Sequence, residues 1–286
     1  MRIIIFGGSG FLGKNLAIFF LQKKHHVTIF DKKKCSLKHK NLKKIKGDII
    51  NFHDVIKAVK GNDFVYNFAG ISDIEDSIKK PRETVKINIL GTINTLEASL
   101  KSNIKKYLFA SSIYVLSSQG GFYKTSKKSS ELYIDEYNKQ HKLNYTIMRF
   151  GSIYGVEADK RNGISKILYN FKKKGILEYG GTKKAKRRFI HINDAIKATA
   201  DLIDRKFNNK IVNILGKRVT KITYLMRYLS NQLKLKKLKH FYKNKPQLGH
   251  YETTPFTYKE PKSINYYRKD SISLEDGIKK LINFKK

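Results

Sequence analysis

Residues 3–16 read IIIFGGSGFLGKNL, where the spaced glycines Gly7, Gly10 and Gly13 stand between an unbroken apolar run and a helical pattern. A run of this kind suits a strand buried on both faces of a parallel sheet. Glycines in the turn let the backbone bend sharply and approach a pyrophosphate, whose charge meets the free N–H groups of a helix N-terminus. Phe11 and Leu12 fall inside the same cradle. A second apolar run, VTIF from Val27, ends in Asp31, 21 residues after Gly10. An acidic side chain at that spacing accepts hydrogen bonds from ribose hydroxyls and repels a 2′-phosphate, so NAD is expected rather than NADP. Lys32, Lys33 and Lys34 follow directly and pull the other way.

Outward from this turn, apolar runs alternate with helical patterns through the first two thirds of the chain. Strands are expected at RIIIF, VTIF, NLKKIK, DFVYNF, KKYLFA and NYTIMRF, with helices over 11–22, 52–60, 82–102 and 123–141. That rhythm predicts an α/β fold, a Rossmann-like doubly wound parallel sheet with helices on both faces and a smaller C-terminal substrate-binding lobe. The division places an NAD-binding core at 1–150 plus about 186–215, and the lobe at about 151–185 plus 216–286. Pro246, Pro255 and Pro261 mark loops in the lobe, and SISLEDGIKKLINF, residues 271–284, reads as an amphipathic helix capped by Ser273. Ligands bind beyond the carboxyl ends of parallel strands, which adds five residues after the third and fourth strands to the cofactor set. Asp48 is placed against the adenine amino group beside Ile49, and Phe68 and Ala69 along the ribose and pyrophosphate beside Gly70. Phe150, closing the sixth strand, completes that end of the set.

The 286 residues carry 60 Lys and Arg against 23 Asp and Glu, a formal net charge of +37. Such a balance invites polyanions, but the lysines recur between apolar positions throughout, with no basic tail and no nucleic-acid signature, so specific nucleic-acid binding is not expected. The densest stretch, LKLKKLKHFYKNK (233–245), suits either a membrane surface or, in its opening alternation, a half-exposed strand. Cys35 is the single cysteine, which excludes an internal disulfide framework and fits a reducing compartment. The apolar run at the N-terminus spans four residues, too few for a signal-peptide core, and no stretch approaches a membrane span. A cytoplasmic protein without metal is the expectation.

A second stretch carries the chemistry. Residues 109–127 read FASSIYVLSSQGGFYKTSK, and Tyr123 and Lys127, four apart on a helix, share a face. A lysine ammonium beside a phenol favours the phenolate and draws the tyrosine towards neutrality, which suits a general acid/base for a substrate hydroxyl. Ser112, at a strand end, is placed to hydrogen-bond the same oxygen. Isolated Tyr/Lys pairs are common on solvated helices, so the weight comes from Ser112 and the nucleotide turn together.

The chain resembles the extended short-chain dehydrogenase/reductases that act on nucleotide sugars. Ten markers carry the resemblance in order: GGSGFLG, Asp31, GDI, NFAG, NILGT, SSIYV, YKTSK, RFGSIYG, RRFIHINDA and VNILG. The resemblance implies Ser112, Tyr123 and Lys127 as the catalytic set, with Tyr123 and Lys127 also touching the cofactor and Lys127 holding the nicotinamide ribose. It implies Asn88 as a support of the loop and active site, and Ser112 and Arg187 as substrate contacts, the guanidinium meeting the diphosphate. His191 is read as a hydrogen-bonded structural residue. The substrate implied is a nucleotide-diphosphate sugar, and the helices over 82–102 and 123–141 would form a homodimer interface.

Departures from the family narrow the reaction. Members that eliminate water carry acidic residues directly after the position of Ser112, and decarboxylating members use one there as well. This chain has Ile113 and Tyr114, neither a carboxylate at neutral pH. Cys35 lies far from the position of the cysteine used by the GDP-fucose-forming reductase. What remains is oxidation at a ring carbon, most often C4, followed by re-reduction from the opposite face (an epimerase) or release of the keto sugar (a net dehydrogenase). Leu116 and Ser117 stand where Tyr-Gly is usual, the spacing from Ser112 to Tyr123 is short for the epimerases, and Arg188 replaces a common acidic residue; Arg188 is read with Lys183, Lys184 and Lys186 as solvated surface. A non-catalytic dinucleotide-sensing or RNA-associated protein is the rival from another class.

Overall fold

In strand β1 (Arg2–Phe6) successive side chains serve two cores at once. Ile3 and Ile5 join α1 (Phe11–Gln22) and α8 (Ile192–Asp201) on one face, whereas Ile4 and Phe6 join α2 (Phe52–Val59), α5 (Gly91–Lys101) and α6 (Gly121–His141) on the other. A strand covered on both faces cannot alternate with polar residues, which is why the run is continuous. The computed structural model describes residues 1–160, 163–235, 240–243, 249–253 and 263–284.

Around β1 the main sheet runs β3 (Leu42–Lys46), β2 (His26–Asp31), β1, β4 (Phe64–Asn67), β5 (Lys106–Ser112), β6 (Tyr145–Phe150), then Lys210–Ile214 and Ser263–Tyr266. Every pairing in it is parallel. This is the doubly wound α/β architecture expected, and the order reverses at β1. Ser263–Tyr266, from the span 216–286 assigned to the smaller lobe, forms one edge of the sheet beside Lys210–Ile214. The lobe has its own core, where Ile164 and Ile167 of α7 (Gly163–Lys174) meet Leu225, Met226 and Leu229 of α9 (Ile222–Gln232) and Ile278 of α10 (Leu274–Asn283). Ser273 caps α10 as expected, its hydroxyl accepting from Asp276 N at 3.0 Å.

The expected helix over 82–102 is three pieces: α4 (Pro81–Thr84), a π-helical turn Val85–Leu90, and α5, with α3 (Ile74–Lys79) just before. A π turn inserts one extra residue into a helix and redirects the side chains around it. Here it carries the buried Asn88. Leu233, which opens the basic stretch 233–245, lies in the turn leaving α9 rather than in a strand, because Lys234 takes φ +52° there. The strand of that stretch is His240–Tyr242, paired with Leu177–Tyr179, and positions 236–239 and 244–248 lie outside the described residues, as do Pro246, Pro255 and Pro261. Arg188 is also not solvated surface, since its Nη1 donates to the carbonyls of Gly216 and Lys217 at 3.0 Å each. No helix among the described residues is long and apolar enough to cross a membrane.

Gly216 closes this junction: a Cβ built there would stand 1.9 Å from the carbonyl oxygen of Phe189. Backbone cannot retreat as a flexible side-chain tip can, so Gly216→Ala is expected to cost about 1–3 kcal/mol or more by overpacking. The urea midpoint should fall accordingly, while an alanine at exposed Lys139 should leave it within about 0.5 kcal/mol.

Candidate active site

The turn after β1 is built by backbone touching backbone. Gly7 has φ +72°, and a Cβ on it would lie 2.7 Å from Ala69 N, while one on Gly13 would lie 2.4 Å from the Gly7 carbonyl. Only glycine satisfies both the left-handed backbone and these approaches. Gly10 begins α1 with no side-chain cap, so the helix N-terminus beside Phe11 and Leu12 presents backbone N–H groups to an anion. Asp31 closes the same cradle, with one carboxylate oxygen accepting from Ser9 N at 2.9 Å and the other from Lys33 N at 2.8 Å. A carboxylate so held keeps further lone pairs for ribose hydroxyls. The residues present therefore fit a dinucleotide, with Phe68, Ala69 and Gly70 opposite the glycine turn at the next strand end. Asp48 stands at the adjoining strand end in an ion pair with Lys32 at 2.9 Å. Ile49 and Phe150 are packed into the protein, Ile49 beneath Gly91 and Phe150 in register with Ser112.

Helix α6 brings in the reactive groups. It starts from Gly120 and Gly121, both with positive φ, and the Tyr123 N–H donates to Ser77 Oγ at 3.2 Å. Asn88 secures the first turn. Its Nδ2 donates to Ser126 Oγ at 2.9 Å and to the Ile71 carbonyl at 3.0 Å, and its Oδ1 accepts from Ile71 N at 2.7 Å. A Cβ on Gly70 would meet that Oδ1 at 2.9 Å and Lys127 Nζ at 3.6 Å, so the strand end, the π turn and α6 converge there. The Ser112 hydroxyl lies close enough to the Tyr123 phenol to act on its ionisation.

The electrostatics differ from expectation. Burial pushes the Tyr123 phenol up, and the Ser112 hydroxyl opposes it only in part. The Lys127 ammonium is turned to the sheet, its Nζ donating to the Ala110 carbonyl at 2.8 Å and sitting over the Phe109 ring at 4.7 Å. Burial also pulls Lys127 down to about 8, against the charge of Glu131. Among the described partners, the lysine faces the sheet rather than the phenol.

An aromatic row joins this centre to Arg187. The Tyr114 ring stands edge-on to Tyr123 at 6.3 Å and tilts against Tyr251 at 4.7 Å, and the Arg187 guanidinium lies 4.4 Å above Tyr251. Tyr114 Oη also hydrogen-bonds His250 Nδ1 at 2.8 Å. Burial and the charge of Arg187 pull His250 down to about 4, so it is neutral at physiological pH. Arg187 is thus brought into the site through Tyr114 and Tyr251, without touching Tyr123 directly. His250 and Tyr251 were missed in the sequence, where GHYE offers no periodicity or motif; Tyr114 was noted only as a departure. Glu131 was missed too, although it stands four residues after Lys127 as Lys127 does after Tyr123. His191 is structural, accepting from Asn193 N at 3.2 Å to cap α8.

Similarity to known proteins agrees with this geometry. A putative UDP-glucose 4-epimerase of Methanocaldococcus jannaschii is 26% identical over 99% of this chain and 98% of its own. A UDP-N-acetyl-alpha-D-glucosaminuronate decarboxylase of Bacillus cytotoxicus is 30% identical over 74% of each chain. Among solved structures, the UDP-glucuronic acid 4-epimerase of Bacillus cereus, in complex with UDP-glucuronic acid and NAD, shares the fold with a TM-score of 0.84 at 22% identity, covering 98% of both chains. The family model for the NAD dependent epimerase/dehydratase family matches residues 3–214. With the glycine cradle and with Ser112, Tyr123 and Lys127 gathered at the strand ends, the chain belongs to that NAD dependent epimerase/dehydratase family.

Proposed function

We propose that the protein is an NAD-dependent nucleotide-sugar epimerase acting at C4 of the sugar. The observation that carries the reading is the gathering of Ser112, Tyr123 and Lys127 at the strand ends beside uncharged Ile113 and Tyr114. The similarity to a 4-epimerase over the full chain supports it. Gly7, Gly10 and Gly13 would hold NAD at the pyrophosphate and Asp31 at a ribose. When bound, NAD supplies the two-electron acceptor and a positive ring charge.

Tyr123 then removes the proton of the substrate hydroxyl as the carbinol becomes a carbonyl, and returns it when the carbon is reduced. Ser112 shares the same oxygen, stabilising charge as it develops there. Since burial raises the phenol, the phenolate form depends on positive charge close by, from Lys127 and the occupied cofactor site. Arg187 meets the diphosphate, its guanidinium oriented by Tyr251 and by its bond to the Glu252 carbonyl at 3.3 Å. The smaller lobe, about 151–185 plus 216–286, supplies this substrate side. With Ile113 and Tyr114 in place of carboxylates, no side chain there serves as acid or base for loss of water or carbon dioxide, which favours epimerisation over the dehydratase and decarboxylase relatives.

A panel of UDP-, GDP- and dTDP-sugars with NAD, followed by mass spectrometry and proton NMR, tests the reading. Unchanged mass with inverted C4 is the expected product; loss of two hydrogens would make it a dehydrogenase and loss of water a dehydratase. Tyr123→Phe should lower kcat by about 10²–10⁴-fold while NAD binding, followed by fluorescence, stays within twofold.

The same reading includes a homodimer. Val85 and Leu90 of the π turn and Phe122, Leu132 and Tyr133 of α6 are large apolar side chains left exposed on the two expected interface helices. Sedimentation at micromolar concentration should give twice the chain mass, and Leu132→Glu should halve it; a monomeric unmodified protein would refute the interface.

A further inference from the structure

Beneath the reactive face of α6 lies a buried charge cluster that the mechanism above does not use. Glu131 is 3% exposed and Arg149, on β6, is 0% exposed. Arg149 grips the carboxylate with both arms, Nε to Oε1 at 2.8 Å and Nη2 to Oε2 at 2.6 Å. Ser111 Oγ donates to Oε1 at 2.6 Å. Ser111 and Arg149 are register partners on β5 and β6, so the carboxylate is fixed across two strands. One residue earlier on β5, the Ala110 carbonyl accepts from Lys127. The sequence Tyr123, Lys127, Glu131 is therefore a stripe at i, i+4, i+8 along one face of α6, with its last two members bonded to adjacent positions of the sheet.

We propose that Glu131 is a positioning residue of the reaction, fixing the α6 stripe against the sheet and keeping Lys127 charged beside Tyr123. The proposal rests on the Tyr123–Lys127 reading above. Its physical basis is the balance of charge in a dry site. A buried lysine loses its proton readily, but an arginine does not. Lys127 and Arg149 are both buried cations on the same part of the sheet. If the Glu131 carboxylate is removed, Arg149 must stay charged, and Lys127, one helical turn from the lost charge, is the group that can give up its proton. Lys127 touches the Phe109 ring and the Ala110 carbonyl of β5, with Tyr123 and Glu131 one turn away on its own helix and Asn88 across Gly70; Ser111 of β5 and Arg149 of β6 stand on Glu131. Lys128, next along the helix, also reaches Glu131 Oε2 at 3.8 Å from the exposed side. Glu131 is the one carboxylate in this set, and its charge is what opposes the effect of burial on Lys127.

The test reads Lys127 directly and needs no substrate. In NMR of protein carrying 13Cε-lysine, one resonance should titrate near 8, far below the surface lysines near ~10.4, and should vanish in Lys127→Met. In Glu131→Gln that titration should move down by at least about one pH unit, and Glu131→Asp, which keeps the charge, should restore most of it. Should Glu131→Gln fail to fold, the double variant E131L/R149M removes the pair together and should still move the titration down, by less because the opposing Arg149 charge goes with the carboxylate. A Lys127 titration unmoved in a folded Glu131→Gln or E131L/R149M would overturn the proposal and leave Glu131 a structural anchor. With a confirmed sugar substrate, the alkaline limb of kcat/KM should follow the NMR shift, lowering activity at pH 8 about tenfold. If the unmodified protein turns over no sugar in the panel, the epimerase reading falls while the titration still decides the role of Glu131.

Discussion

All eight strands of the main sheet run the same way, and the rest of the molecule follows from that constraint. Parallel strands need crossovers, the crossovers here are helices on both faces, and each strand delivers its following loop to the same end. The order reverses at β1, so the loops after β1 and β4 diverge to opposite faces and leave a crevice between them. There the constraint becomes steric. The β1 turn meets the backbone of Phe68 and Ala69 at distances that exclude any Cβ on Gly7. Chain direction, glycine placement and dinucleotide site are consequences of one arrangement.

Charge is handled differently inside and outside that frame. Most of the +37 excess lies on lysines at the surface, where water and salt screen it. Among the described residues four cations go inside, Lys106, Lys127, Arg149 and Arg187, and each has specific partners. Lys106, 2% exposed, donates at 2.8 Å to the carbonyls of Leu202 and Asp204, just past the end of α8 where the helix dipole is negative. Arg149 has the two-armed Glu131 carboxylate. Lys127 has one carbonyl and an aromatic face, and burial draws it down to about 8. It is thus a poorly compensated cation one helical turn from the Tyr123 phenol, an arrangement that fits catalysis better than stability.

The glycine turn and the Asp31 strand end proposed for the cofactor were legible in the sequence because their cause is local. A buried strand must be apolar, a backbone contact must be glycine, and Asp31 must close the second strand; each leaves a residue at a fixed offset. Tyr123 and Lys127 were legible through the period of a helix. The features that escaped depend on tertiary context. The π turn at Val85–Leu90 has no distinctive composition, and reading 82–102 as one helix missed the extra residue that accompanies Asn88 at the site. The direction of the Tyr123 shift failed because helical spacing places Lys127 on the same face without saying that its ammonium turns to Ala110. Arg188 looked like surface because Gly216 and Lys217, whose carbonyls it binds, are distant in sequence. His250 and Tyr251 reach the site only because the lobe folds back over it, through contacts spanning 136 residues in the case of His250 and Tyr114.

This division between local and distant causes extends to the reaction. The cofactor half is backbone, shaped by what the glycines allow, and is compatible with any chemistry that begins by oxidising a carbinol. The fate of the resulting ketone is set by the side chains facing it, and these come from the turn after β5 and the segment 249–253. Here the turn offers Ile113, 2% exposed, and Tyr114, whose phenol burial holds protonated against a neutral His250. Neither group offers a base at neutral pH to take a proton from carbon, so the ketone has no route to elimination begun by them. The sugar can then leave as a ketone or be reduced again. In the proposed epimerase reaction the hydrogen returns to the opposite face only if the sugar turns while its diphosphate stays held, and Arg187, stacked on Tyr251 and bonded to the Glu252 carbonyl, is the group we propose for that pivot.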